Sequence, residues 1–277
     1  MIVRKEEYSA ELQPFFAQSD TPYRQDFCEF VAVRSNEGEV LAAGVTWKNP
    51  IHPLRRYFYV SSEEGYRRRG LGRAVYAALQ MMYPNEKWQA VIDSDNAAAA
   101  RWLTEMGFVC AKKCFIEEVN CMEMKPQTGE ETELTAFENL TEAQAVYLAA
   151  MIRADYARKH ERIDPLGEEY ADGLFAPCII GNIDSKNSVC LVENDEIKAY
   201  VCCYEGEEEY TLVAGYTGQR MENAEKYRRF LFDFADRAFE QAGGLIIEAD
   251  DCDEDAMQLL SLFDVLPTYS LDTYITP

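Results

Sequence analysis

The chain has 277 residues, enough for one large domain or two ordinary ones, each with its own core. It carries 49 acidic and 27 basic side chains, a net charge of -22, which argues against nucleic acid or an anionic membrane as a partner. No apolar run approaches the roughly 20 residues that a membrane helix needs. The first residues contain no apolar signal segment, and the nine cysteines form no metal-like pairs. We therefore expect a cytoplasmic protein with reduced, mostly buried thiols.

The first part of the chain predicts a helix and then three strands. A helix is expected at residues 8–18, where Leu12, Phe15 and Phe16 share one side, and a loop at 19–22. Residues 28–47 read as a hairpin that turns at Asn36-Glu37-Gly38. Aromatic and β-branched residues at 57–60 predict the third strand.

A glycine-containing basic loop then joins this strand to a helix that begins at Leu71. Gly70 and Gly72 have no Cβ, so the backbone can turn tightly and approach a ligand there. Four arginines lie within one turn of the helix N-terminus, where the helix dipole is positive: Arg67, Arg68, Arg69 and Arg73. The segment is either an anion site or a solvated, charged turn.

Two amphipathic helices are predicted on either side of a strand. Apolar residues recur with helical spacing from Leu71 to Met82, and a strand is expected at 88–92. Residues 93–96 supply possible N-caps for the second helix, which Gly107 ends. Two more strands are expected within residues 108–119.

The second half of the chain begins after a predicted linker at residues 125–132. A strand is expected at 133–137, and Thr141 with Gln144 forms a capping box for a helix that runs to about residue 160. A hairpin is expected at 189–204, with its turn at Asn194-Asp195.

This second hairpin repeats the first at an offset of 157 residues. Glu39-Val40 matches Glu196-Ile197, and the same offset places Ala256 on Ala99. The sequence therefore predicts two copies of one fold, in domains 1–126 and 127–277. Nothing before the first residue can correspond to the strand and long helix at 133–160, so the first copy is expected to lack them.

The second copy is expected to lack the anion loop. The positions that match Arg67, Gly70 and Gly72 fall inside a predicted helix, on Ala224, Tyr227 and Arg229. Acidic residues gather near the end of this copy: Glu248, Asp250, Asp251, Asp253, Glu254 and Asp255. Their spacing is not that of a calcium loop, so we expect a solvated loop. His52 and His160 form no metal or triad pair, so no metal site is expected.

Two motifs resemble the GCN5-related N-acetyltransferases. The first is R-x-x-G-x-G at 67–72, between a strand and a helix; the second is N-x-x-A at 96–99, followed by Gly-Phe at 107–108. The resemblance implies an α/β (α+β) fold of two tandem domains, each a mixed, mostly antiparallel sheet flanked by helices. It also implies that the strand before the loop splays from its neighbour.

The resemblance further implies acetyl-coenzyme A as the co-substrate, with its pyrophosphate on the loop amides. The residues expected to bind it are Val60, Arg67, Arg68, Arg69, Gly70, Leu71, Gly72, Arg73 and Asn96. Asn96 is equally well explained as the N-cap of the next helix.

The catalytic residues are less well defined. The family often uses a carboxylate near the splayed strand as the base, which points to Glu63 or Glu64; either could instead pair with the arginines. The position of the family's usual tyrosine acid holds Leu103, so either Tyr76 or a water donates the proton, or the thiolate leaves unassisted; Tyr76 is equally well explained as an ordinary helix residue.

The expected function is acetyl-coenzyme A-dependent N-acetylation of a small acceptor amine in a crevice between the two domains. The acidic composition fits either a cationic acceptor or a need for solubility. The alternative is a non-catalytic module that binds acyl-coenzyme A or a protein partner. The sequence does not determine the oligomeric state.

Overall fold

The computed structural model describes residues 1–17, 22, 26–167, 171–206 and 211–277. Contacts divide the chain into two units: the first is Met1–Ala90, Gly107–Val109 and Tyr274–Pro277, and the second is Val91–Met106 and Cys110–Thr273. None of the helices in the described ranges combines the length and apolarity needed to cross a bilayer. The boundary between residues 126 and 127 separates the two predicted copies of the fold and stays a prediction.

Four antiparallel strands and a parallel fifth follow one another at the start of the chain. The elements are β1 (Ile2–Glu6), α1 (Gln13–Phe16), β2 (Glu29–Arg34), β3 (Val40–Lys48), β4 (Arg55–Ser62), α2 (Leu71–Met82) and β5 (Lys87–Asp93). The strand order is β1-β2-β3-β4-β5. The predicted hairpin is confirmed, and Gly38 has a φ of 95° in its turn, which suits glycine.

The helix expected at 8–18 is shorter than predicted, because Gln13–Phe16 is the only helical part of the described residues 8–17; residue 18 lies outside the described residues. Leu12 and Phe16 are nevertheless fully buried, as the apolar pattern indicates. The loop predicted at 19–22 lies, apart from residue 22, outside the described residues.

Strands β4 and β5 are paired over only part of their length. The parallel pairs run from Arg55 with Lys87 to Tyr57 with Gln89, while β4 continues to Ser62. The expected separation of this strand from its neighbour is therefore present.

Helix α2 packs closely on β3 at Gly44. A Cβ at this position would overlap Val75 Cγ1, and Val75 is fully buried with a stiff side chain. We expect Gly44→Ala to destabilise the protein by about 1–3 kcal/mol. Chemical denaturation measures this change in the free energy of unfolding.

Two further variants test whether overlap with Val75 is the reason that Gly44→Ala lowers the free energy of unfolding. Gly65→Ala should be nearly neutral, since nothing lies within 4 Å of its added Cβ. In a double-mutant cycle with Val75→Ala, the two changes should cost less together than the sum of the single changes. Strict additivity would contradict the proposed overlap.

The rest of the chain forms seven strands and five helices within the described residues. They are α3 (Ala97–Glu105), β6 (Val109–Val119), β7 (Leu134–Ala136), α4 (Glu142–His160), α5 (Ala171–Cys178), β8 (Val189–Glu193), β9 (Glu196–Glu205), β10 (Thr211–Gln219), α6 (Ala224–Ala242), β11 (Gly244–Asp250), α7 (Glu254–Leu260) and β12 (Ser270–Ile275). Short 3-10 turns lie at Glu64–Tyr66, Cys121–Glu123, Phe137–Asn139 and Ile180–Asn182.

In the second unit the strand order is β6-β11-β10-β9-β8-β7, and only β10 with β11 is parallel among these pairs. The prediction of two strands at 108–119 is wrong, because Val109–Val119 is one long strand. This run contains no glycine or proline that would break it. The capping box of α4 is confirmed: the Thr141 and Gln144 side chains cap each other's backbone amides.

The repeat is confirmed by the order of the elements. In each copy, three antiparallel strands lead to a helix, a strand parallel to the third one, and another helix: β2-β3-β4-α2-β5-α3 and β8-β9-β10-α6-β11-α7. Strands β5 and β11 begin and end at positions that differ by the predicted offset, Lys87 with Gly244 and Asp93 with Asp250.

The first copy does have an opening strand, so the expectation that it lacks one is wrong. Strand β1 pairs with β2 as β7 pairs with β8. A single offset could not reveal it, because the short α1 follows β1 where the long α4 follows β7. Helix α4 covers β8 and β9, where Leu148 and Ile152 pack with Tyr200 in one core cluster. Helices α6 and α7 contribute Phe230 and Leu259 to another cluster.

All nine cysteines are free thiols, but the expectation that most are buried is wrong. The buried ones are Cys28, Cys190, Cys202 and Cys203; the exposed ones are Cys110, Cys121, Cys178 and Cys252.

Candidate functional site

The basic loop lies between the end of β4 and the start of α2. Two residues in it have left-handed backbone conformations: Arg68 with a φ of 61° and Gly70 with a φ of 80°. A Cβ at Gly70 would meet open space, so the positive φ, and not crowding, is what favours glycine here. The chain then enters α2 at Leu71.

The first turn of α2 has no capping side chain among the described residues. Gly70 occupies the N-cap position, and it cannot accept a hydrogen bond through a side chain. The first amides of a helix have no partner within it and carry partial positive charge, so they can bind an anion.

The arginines of the loop add positive charge around this helix end. Arg67, Arg68, Arg69 and Arg73 are all exposed. The Arg69 guanidinium lies 5.0 Å from the centre of the Tyr66 ring. In the described part of the chain, no carboxylate forms an ion pair with the first three arginines. Their charge is therefore available to a ligand.

The corresponding helix of the second copy is capped by a side chain at its N-terminus. Helix α6 begins at Ala224, one turn before the position that matches Leu71. The Asn223 side chain caps it by accepting a hydrogen bond from the Lys226 amide at 3.0 Å. The predicted loss of the glycine loop is confirmed, since Tyr227 and Arg229 also lie within α6.

Val60, Glu63 and Glu64 lie at the other end of the loop. Val60 is half-buried and stands opposite Gly44 in the β3–β4 pairing. The Glu63 amide donates to Leu41 O at 3.0 Å, which holds the backbone in place. Both glutamate side chains are exposed, and among the described residues neither forms an ion pair with an arginine. The alternative prediction, that Glu63 or Glu64 pairs with the arginines of the loop, is therefore not met among the described residues.

Tyr76 lies in an aromatic cluster of the first unit. Its ring centre is 4.9 Å from that of Phe58, 5.5 Å from that of Trp88 and 5.6 Å from that of Phe108. Gln80 Nε2 donates to the Tyr76 hydroxyl at 3.1 Å. Burial raises the pKa of Tyr76, which makes the phenol a poorer proton donor.

Asn96 and Leu103 belong to the second unit, whereas the basic loop belongs to the first. Asn96 Oδ1 accepts a hydrogen bond from the Ala99 amide at 3.1 Å, so the side chain is the N-cap of α3. Leu103 is buried and offers no acidic proton. A role of Asn96 in cofactor binding stays a prediction.

The acidic residues of the second copy do not form the expected solvated loop. Glu248 and Asp250 lie on β11 and are partly buried. Asp253 is buried and caps α7, accepting from the Asp255 and Ala256 amides. Sequence reasoning missed these positions, although the alternation of apolar residues at Leu245, Ile247 and Ala249 is a strand signal that extends into the acidic run. In the described ranges, no group of three or more His, Cys, Asp or Glu side chains is placed to hold a metal.

No family model and no curated protein matches the sequence. Solved structures do match the fold. A GCN5-related N-acetyltransferase from Sphaerobacter thermophilus aligns with a TM-score of 0.60 at 12% identity, over 89% of this chain and 79% of that one. A GNAT-family acetyltransferase from Colwellia psychrerythraea aligns with a TM-score of 0.56 at 9% identity, over 100% of both chains.

A tandem GNAT protein from the clavulanic acid biosynthesis pathway is also similar. It aligns with a TM-score of 0.54 at 13% identity, over 90% of this chain and 82% of that one. Identities this low establish the fold alone. Together with the repeated order of elements, these comparisons show that the chain has the fold of the GCN5-related N-acetyltransferases, in two tandem copies.

Proposed function

We propose that the first copy binds acetyl-coenzyme A and transfers its acetyl group to the amine of a small acceptor. The observation that carries this proposal is the difference between the two copies at one helix end. Helix α2 begins with uncapped amides beside exposed arginines, whereas α6 is capped by Asn223. Only the first arrangement fits a pyrophosphate.

The residues of the loop have distinct tasks in this proposal. Leu71, Gly72 and Arg73 offer their backbone amides to the pyrophosphate, and Gly70 supplies the backbone conformation that exposes them. The exposed side chains of Arg67 and Arg68 add positive charge. Acetyl-coenzyme A supplies an activated thioester, and the proposed place of its extended arm is beside β4 after Tyr57, where the pairing with β5 ends.

The chemistry at the acceptor needs a base for the ammonium proton and donors for the developing oxyanion. Glu63 and Glu64 are the proposed bases, since they follow β4 directly and are exposed. Backbone amides near Val60 are the proposed oxyanion donors. Tyr76 is retained as a candidate acid. Because Tyr76 is buried, protonation of the leaving thiolate by water is the favoured alternative. The location of the acceptor between the two copies stays a prediction of the sequence.

A second candidate function is acyl-coenzyme A or protein binding without catalysis. It is favoured by Leu103, a buried apolar side chain at the position where the resembling family often has its tyrosine acid.

Release of free thiol from acetyl-coenzyme A separates the two candidates. Polyamines, aminoglycosides, amino acids and protein N-termini form the acceptor panel. We expect at least one class to stimulate thiol release well above the rate of acetyl-coenzyme A hydrolysis. Cofactor binding by calorimetry with no release across the whole panel would favour the non-catalytic function.

A further inference from the structure

The second copy contains a cavity on the face of its sheet that α4 covers. Strands β10 and β11 separate there, because their parallel pairing ends at Ala214 and Ile247. The register of β10 with β9 also shifts at Gly215, which indicates a β-bulge. The cavity has a volume of about 110 Å³. That is several times the space that one water molecule requires, and it suits an organic molecule of a few heavy atoms.

Four aromatic side chains are among the residues that line this cavity. The Tyr156 and Tyr216 rings, which both line it, meet edge to face with their centres 5.5 Å apart. The His160 ring stacks on the Tyr156 ring with their centres 4.0 Å apart. Tyr200 lies on β9, the strand that pairs with β10. The faces of aromatic rings attract cations, and their carbon atoms bury alkyl groups.

Most charged side chains that line the cavity are already paired. The pairs are Lys112 with Asp250 at 2.7 Å, Lys159 with Asp253 at 2.6 Å, and Asp155 with Arg220 at 2.8 Å. Asp155 also accepts a hydrogen bond from the Tyr200 hydroxyl at 3.1 Å. The charges of these groups are therefore already neutralised by their partners, and none of them requires a ligand of opposite charge.

Glu248 is the exception. Its side chain is partly buried, and its carboxylate makes no hydrogen bond or ion pair with any residue in the described ranges. Oε2 faces Gly215, where an added Cβ would lie 3.6 Å from it. Burial, and then the charge of Asp250, raise the pKa of Glu248. A partly buried carboxylate without a partner is costly, and a cation would offset that cost.

We propose that the second copy binds a small organic ammonium ion in this cavity, with the ammonium group on the Glu248 carboxylate and the alkyl carbons against the tyrosine rings. An organic cation fits better than a metal ion, because no group of three or more His, Cys, Asp or Glu side chains among the described residues is placed to hold a metal, whereas the carbon faces of the tyrosine rings can bury alkyl groups. The site contains none of the residues of the basic loop. It does not depend on acetyl-coenzyme A binding.

Calorimetric titration of the full chain with propylammonium chloride at pH 7.5 tests this site. We expect saturable binding with a dissociation constant on the order of a millimolar or lower, as befits a ligand of four heavy atoms. The neutral analogue 1-propanol should show no saturable binding. Glu248→Gln should weaken propylammonium binding at least tenfold. Glu240→Gln removes the same charge from an exposed position on α6 and should leave it unchanged.

The stability of Glu248→Gln distinguishes a lost site from a lost fold. Because the folded state raises the pKa of Glu248, the ionised side chain destabilises the fold above that pKa. The variant should therefore melt higher than the native protein at pH 7.5, and the gain should vanish as the pH falls below the unfolded pKa. The titratable groups around Glu248 are Asp250, Lys112, Cys114, Tyr204 and Tyr216. Burial raises the pKa of the last three, so they stay neutral throughout.

Three outcomes would overturn the proposal: no saturable binding of propylammonium, equal binding by Glu248→Gln, or equally good binding of 1-propanol. Each leaves the assignment of the coenzyme A site untouched, since that assignment is tested by calorimetric titration with coenzyme A. Conversely, a chain that binds propylammonium but not coenzyme A would overturn the proposed function and retain this site.

Discussion

Gly70→Asp is expected to weaken coenzyme A binding well over tenfold. The substitution places a carboxylate at the N-cap of α2, beside the amides proposed to hold the pyrophosphate. Two like charges a few Å apart near a protein surface repel by more than about 1.4 kcal/mol, which is a factor of ten in the dissociation constant. Calorimetry with coenzyme A measures the change.

Gly70→Asn is the matched control for charge. Asparagine imposes the same backbone demand at a φ of 80° and has nearly the same shape, but it is neutral. The difference between the two variants therefore isolates the repulsion. Gly38→Asp is the control for a carboxylate at a left-handed position outside the loop, because Gly38 also has a positive φ and open space around its Cβ but lies in the β2–β3 turn and not at the start of α2. An unchanged dissociation constant for Gly70→Asp would refute the assignment of the loop.

Lys159→Met is expected to lower the free energy of unfolding by about 3–5 kcal/mol. Lys159 lies near the end of α4, and its side chain is almost buried. Its Nζ pairs with Asp253 at 2.6 Å and donates to Thr217 O at 2.7 Å. The substitution would leave Asp253 at the start of α7 as a buried charge without its cation. Differential scanning calorimetry should show a fall in Tm of roughly 10 °C.

Lys226→Met is the matched control, because Lys226 also pairs with a carboxylate, that of Glu193, but in a more exposed position. An ion pair of this kind contributes about 1 kcal/mol or less. The proposed burial effect requires Lys159→Met to be clearly the more destabilising change. Similar losses for the two variants would show that Lys159 does not connect α4 to α7 in the way described.

The sequence alone predicted the parts of the fold that depend on local patterns. The turn residues of both hairpins, the capping box of Thr141 and the glycines that need a positive φ all act over a few residues, so they could be recognised without coordinates. The offset of 157 residues also lies in the sequence itself. It predicted both the duplication and the loss of the loop at Tyr227.

Other features depended on contacts between residues far apart in the chain. Tyr76 looks like an ordinary helix position, yet it packs against Phe58 and Phe108 because α2 lies against β4, which carries Phe58. The pairing of β1 with β2 could not be predicted, since a short polar strand at the start of a chain has little pattern of its own.

The acidic residues of the second copy show the same division. Their number and order are plain in the sequence, but which carboxylates have partners is not. Asp253 is neutralised by Lys159 of α4, whereas Glu248 faces a cavity lined by tyrosines. Composition and spacing thus determined that this copy is acidic and lacks the anion loop. Only the tertiary structure decided which charge is left without a partner, because burial and pairing depend on side chains brought together from separate helices and strands.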